Sequence, residues 1–168
     1  MEPGEALSTA SQLAMALSGF ASVVVAFRSG ALHEWAPIDK LRLRLLLSNS
    51  VVPLLTCLAA MLILSVKPPP PWIWRACSCL SVAFAMLFGI ATMKGMRAIR
   101  SGELGVAGTW RFLFYGMGIL AIGATLLQVY NVVVLNAFWA FFAMIVLQLV
   151  AGIIQFARLI LLPLRQTS

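Results

Sequence analysis

From Phe112 to Ala157 the chain runs for 46 residues without an Asp, Glu, Lys, Arg or His. A bilayer core is crossed by about 20 apolar residues in a helix, so one straight helix of this length is roughly twice too long. Two spans joined by a tight turn fit. The polar residues near the middle of the run, Gln128, Tyr130, Asn131 and Asn136, place that turn, because only polar groups can serve exposed backbone there or sit among headgroups.

The rest of the chain has to live in the same solvent. Over 168 residues, 62% are hydrophobic and 10% charged, and the mean hydropathy is +1.00, which leaves too little polar surface for a water-soluble globule. The fold class expected is all-α: one transmembrane domain over residues 1–168, with spans at about 6–27, 45–66, 74–93, 112–130 and 137–161. The net charge of +7 comes from 12 Lys and Arg set in short loops between apolar runs. That distribution sets topology and does not build a nucleic-acid surface. With five spans, Arg28, Lys40, Arg42, Arg44, Lys94, Arg97, Arg100, Arg111, Arg158 and Arg165 fall on one side and Lys67 and Arg75 on the other. Ten against two puts the N-terminus outside and the C-terminus in the cytoplasm. Arg28, Arg42, Arg44, Arg97, Arg100 and Arg111 are the residues expected to meet lipid headgroups.

The first span begins after Glu2 and Glu5 and before any basic residue, the reverse of a cleaved signal peptide. Its small residues Ala10, Ala14, Ser18, Ser22 and Ala26 recur every fourth position, a spacing that invites close helix contact. A similar set, Ser81, Ala85 and Gly89, follows Cys77 in the third span. Cys57, Cys77 and Cys79 lie in apolar runs and are expected as small buried hydrophobes. In the first loop, Ala36-Pro37-Ile38-Asp39 has the form of a helix start, with Pro at the first helical position. Pro53 in the second span withholds the donor that the Asn49 carbonyl would use, so a bend is expected, with Ser48, Asn49 or Ser50 supplying compensation. Pro68 to Pro71 reads as a stiff polyproline strut, and Trp72 and Trp74 as an interfacial belt. Gln148 and Gln155 share a face of the fifth span and are expected to turn toward protein.

No chemistry of its own accompanies this framework. His33 is the lone histidine, and His33-Glu34 at i, i+1 diverge on a helix. A bis-histidine haem within the chain is excluded. No carboxylate pair, nucleophile with a base, or metal-ligand spacing occurs. The sequence therefore implies no catalytic residue, no metal and no cofactor. It implies a non-enzymatic membrane subunit that acts in assembly, anchoring or scaffolding, with lipids and either its own copies or other membrane subunits as partners. The alternative is a small channel or transporter using Ser48, Asn49, Ser50 and the Pro53 kink with Gln148 and Gln155; a pigment- or cofactor-associated subunit comes after it. Against ion coupling, every acid (Glu2, Glu5, Glu34, Asp39, Glu103) sits in a terminus or a loop.

Two patterns reach beyond single spans. Arg28-Ser29-Gly30-Ala31-Leu32 and Arg100-Ser101-Gly102-Glu103-Leu104 match at four of five positions, as a duplication of helix pairs would leave. Gly19-Phe20, Phe27-Arg28, Trp35-Ala36-Pro37, Asp39 and Leu41-Arg42-Leu43-Arg44 together resemble a pattern in small, uncharacterised bacterial multi-span inner-membrane proteins. The resemblance covers about 30 residues and implies a multi-pass protein of the bacterial inner membrane. It carries over no site.

Overall fold

The computed structural model describes residues 2–27, 37–66, 70–97 and 108–161. Its elements are α1 (Pro3–Phe27), α2 (Pro37–Val66), α3 (Pro70–Arg97), α4 (Gly108–Tyr130), a π-helical turn (Asn131–Leu135) and α5 (Phe138–Leu161). All five α-helices are long and apolar enough to cross a membrane, and no strand occurs among the described residues. The chain is thus an all-helical, multi-pass type of membrane protein. The Arg28–Leu32 and Arg100–Leu104 segments, with His33 and Glu34, lie outside the described residues.

Proline marks two helix starts. α2 begins at Pro37, where the missing N–H costs nothing because the first turn has no intrahelical acceptor for it. The helix therefore starts eight residues before the apolar run and carries Lys40, Arg42 and Arg44 on its early turns. α3 likewise begins at Pro70 and includes Pro71, so two of the four prolines expected in an extended strut open a helix instead; Pro68 and Pro69 lie outside the described residues. The reason is again positional, since the fixed φ of proline suits a first helical turn as well as a polyproline segment.

α5 is the central helix. Within its spanning window 44% of the residues are buried, against 11% for α4, and it packs against each of the other four helices. Leu7, Ala10, Ala14 and Leu17 of α1, Cys57 and Ala60 of α2, Cys77 of α3, and Phe141, Ile145 and Leu149 of α5 form one core. Trp74 joins it, with its ring 4.9 Å from Phe138 and 6.0 Å from Phe141. Of the two tryptophans expected at the interface, Trp72 alone is largely exposed. Cys57 and Cys77 are buried, Cys79 is exposed, and all three are free.

Ala10 and Ala14 are buried, Ser18 is half-buried, and Ser22 and Ala26 are exposed. Helix geometry explains the drift. Four residues turn the chain about 400°, so a strict four-residue stripe winds around the axis. The buried side follows alternating steps of three and four: Leu7, Ala10, Ala14, Leu17 and Ala21.

Pro53 is buried inside α2. The Asn49 carbonyl, left without its usual donor, faces the backbone of Gly152 on α5. A Cβ on Gly152 would come within 3.4 Å of both the Asn49 oxygen and Leu17 Cδ1. The Ser50 hydroxyl does not reach that carbonyl; it donates one turn earlier, at 3.1 Å to the Leu46 oxygen and 3.0 Å to the Leu47 oxygen. Three helices therefore meet where glycine keeps α5 close. Gly152→Leu is expected to cost about 1–3 kcal/mol through overpacking, seen as a lower thermal midpoint in detergent, whereas Gly118→Leu, where nothing lies within 4 Å, leaves the midpoint in place.

Candidate functional site: a polar knot and the open faces beyond it

The connection from α4 to α5 is built by one asparagine. Asn131 is fully buried, and its amide clamps Ala137 from both sides. Nδ2 donates to the Ala137 oxygen at 3.1 Å, and Oδ1 accepts from the Ala137 N–H at 2.9 Å. Nδ2 also donates to Ser78 Oγ on α3 at 2.8 Å. The Asn136 N–H closes the π turn on the Asn131 oxygen at 3.0 Å, a five-residue step. Asn136 itself sits in the left-handed region (φ 50, ψ 38), where asparagine is tolerated better than most residues. Its Oδ1 accepts from Arg75 Nε at the start of α3. One turn below Asn131, Gln128 Nε2 donates to the Ala140 oxygen on α5 at 2.7 Å. The residues expected to serve the turn's backbone or sit among headgroups thus divide. Tyr130 is exposed, Asn136 is half-buried, and Gln128 and Asn131 are fully enclosed. Where the chain encloses the reversing backbone, these side chains serve as its partners.

Ser78 pairs with Asn131, and Ser81 and Gln128 each lie three residues from that pair along their own helices. Ser81 is 3% exposed and Gln128 is 0% exposed, yet Ser81 Oγ and Gln128 Oε1 have no hydrogen-bond partner. Most hydroxyls in these helices behave otherwise. Thr9, Ser11, Ser22, Ser50, Thr56, Ser65 and Thr125 all donate to carbonyls of their own helix. Gln148 lies on the side of α5 that carries Phe141 (i, i+7); it is half-buried and makes no hydrogen bond to a described residue.

Beyond Ser81 and Gln128, full burial on α3 and α4 ends. No described side chain of α3 from Val82 to Lys94 is buried, and none of α4 from Tyr115 to Leu127. Gly118 through Gly123 are exposed, six consecutive residues that cover the whole circumference of a helix. A Cβ on Gly89, Gly116, Gly118 or Gly123 would meet nothing within 4 Å. Ala85 and Gly89, expected with Ser81 to make a helix contact, are half-buried.

The remaining candidates sit elsewhere. Ser48 and Asn49 are half-buried without a side-chain hydrogen bond to a described residue, and Ser50 is buried and bonded within α2. Gln155 is buried with Oε1 unpartnered, as is Ser18 Oγ. Arg42 is half-buried and Arg44 exposed. Arg28 and Arg100 lie outside the described residues, and of Arg97 and Arg111 the helical backbone alone is described. No metal-holding group of His, Cys, Asp and Glu occurs among the described residues.

Compared with known proteins, the chain matches no family model, no curated protein and no solved structure.

Two substitutions test the knot. Asn131→Leu strands Ser78 Oγ and the Ala137 N–H in a dry interior and is expected to cost about 1–3 kcal/mol per stranded group, read as a large fall in the thermal midpoint. At Asn136, replacement by Ala is expected to be worse than by Gly, since a Cβ without a polar partner is costly at positive φ by about 1–2 kcal/mol. Equal midpoints for the two variants would contradict the left-handed assignment.

Proposed function

We propose that this chain is a non-enzymatic inner-membrane subunit that acts by assembling with other membrane chains. The observation that carries the reading is α4. A helix that is exposed around its full circumference at mid-span has lipid or another protein on every side. Glycine is a poor choice against lipid, since each costs about 1 kcal/mol of helix stability relative to alanine and contributes no apolar surface. Against another helix it lets backbones approach, which in lipid replaces the hydrophobic drive that water would supply. Gly116 and Gly123, seven residues apart, share one face of α4, and Ala85 and Gly89 offer a second on α3. The Gln128–Asn131 knot fixes α4 at one end and leaves the stretch from Gly118 to Gly123 open to a neighbour.

In this reading the basic loops give orientation. The ten-to-two bias places the N-terminus outside and the C-terminus in the cytoplasm. A C-terminal fusion to green fluorescent protein is expected to fluoresce, and one to alkaline phosphatase to be inactive; the reverse pair would refute the topology. For the assembly, Gly116→Ile with Gly123→Ile is expected to lower the mass measured by light scattering in mild detergent while the thermal midpoint stays close to that of the parent. An unchanged mass would remove α4 from the interface.

A further inference from the structure

We propose that the end of the bundle where α2 begins and α5 closes binds an anionic phospholipid, with the lipid phosphate held between Arg42 and Arg158. The inference is independent of the assembly reading. Both arginines continue the inward faces of their helices. On α2, Leu46, Ser50, Pro53 and Cys57 are fully buried at steps of four, three and four, and Arg42 stands four residues before Leu46. On α5, Met144, Ala151 and Gln155 are buried at steps of seven and four, and Arg158 follows three residues later. The two faces meet. The Asn49 carbonyl of α2 lies against Gly152 of α5, and Phe156 packs on the cluster of Ala21 and Leu46. Arg42 and Arg158 come next along the two helices, both are half-buried, and the charge of Arg42 acts on Arg158. Arg44, two residues further along α2, is exposed.

Like charges on facing inward positions are costly unless negative charge answers them. Each arginine has an interaction within the chain, but the chain is short of negative charge here. Together α2 and α5 hold Lys40, Arg42, Arg44 and Arg158 against Asp39 as their one acid. A phosphate supplies what is missing, since its oxygens accept paired hydrogen bonds from guanidinium groups. The level of the pair fits a lipid better than a free anion. The spanning stretch of α2 starts at Lys40 and that of α5 stops at Arg158, which puts both arginines at the headgroup boundary. Apolar surface for an acyl chain lies alongside. Phe20 of α1 is exposed, and its ring is 5.7 Å from that of Phe156, two residues before Arg158. An anionic headgroup is favoured over a zwitterionic one because the latter brings a cation of its own to a basic site.

The test uses the full chain in mild detergent. Phosphatidylglycerol added as mixed micelles is expected to raise the thermal midpoint, while phosphatidylcholine and inorganic phosphate leave it in place. Native mass spectrometry of the parent, equilibrated with equal parts of the two lipids, is expected to show phosphatidylglycerol retained in preference. That preference is read on the parent whether or not a variant folds. Arg42→Gln and Arg158→Gln are each expected to lower the retention about fivefold, and Arg44→Gln to leave it unchanged. Equal retention of the two lipids by the parent overturns the inference, as does a retention that survives in both variants. An equal loss in Arg44→Gln assigns the effect to surface charge in general and overturns the site. A midpoint raised as much by inorganic phosphate as by phosphatidylglycerol assigns the pair to a free anion and overturns the lipid.

Discussion

The interaction on which the rest of this bundle depends is the double clamp of Asn131 on Ala137. In water a chain reversal between two helices can leave its amides to the solvent. Here Asn131 is fully enclosed, and each unsatisfied polar group in such a place costs several kcal/mol. Asn131 supplies a donor and an acceptor to the same peptide neighbour and a second donor bond to Ser78. The π turn and the left-handed Asn136 follow from closing the chain around that side chain. The same bonds decide where α3 and α4 are held together, and hence where they are not.

A second constraint operates at the other side of the core. Pro53 deprives the Asn49 carbonyl of its helical donor, and the residue that comes against that carbonyl is Gly152. Together the two sites give α5 its central place. It is tied to α4 and α3 by the knot near its start and pressed against α2 and α1 by glycine further along. α4 shares the first site and has no counterpart to the second.

Much of the framework is legible in the sequence because it follows from length and charge. The five spans, the reversal between residues 128 and 136, and the start of α2 at Pro37 come from counting apolar residues and placing polar ones. What sequence alone misplaces is angular or tertiary. A four-residue repeat looks like a stripe on paper, yet Ser22 and Ala26 come out exposed because the helix turns slightly too far with each step. Trp74 looks interfacial beside Trp72, but its ring is needed against Phe138 and Phe141. Gly152 carries no local signal of its closeness to Asn49, since that contact joins residues a hundred positions apart. The clearest feature of the candidate site, the enclosed and unpartnered Ser81 Oγ and Gln128 Oε1, is invisible in the sequence because burial is set by packing between helices. The Gln128 amide could be marked as polar in an apolar run, but not as half-satisfied.

The central claim is that the middle of α4 is covered by protein in the membrane. The most direct measurement is the oxygen accessibility of a nitroxide spin label at Leu120→Cys in lipid bilayers, compared with a label at Leu55→Cys near the middle of α2, where the side chain is likewise exposed in the single chain, each in a Cys79→Ser background. The account predicts that the Leu120 position is markedly less accessible than the Leu55 position. Equal accessibility at the two positions would mean that lipid alone surrounds α4, and would contradict it.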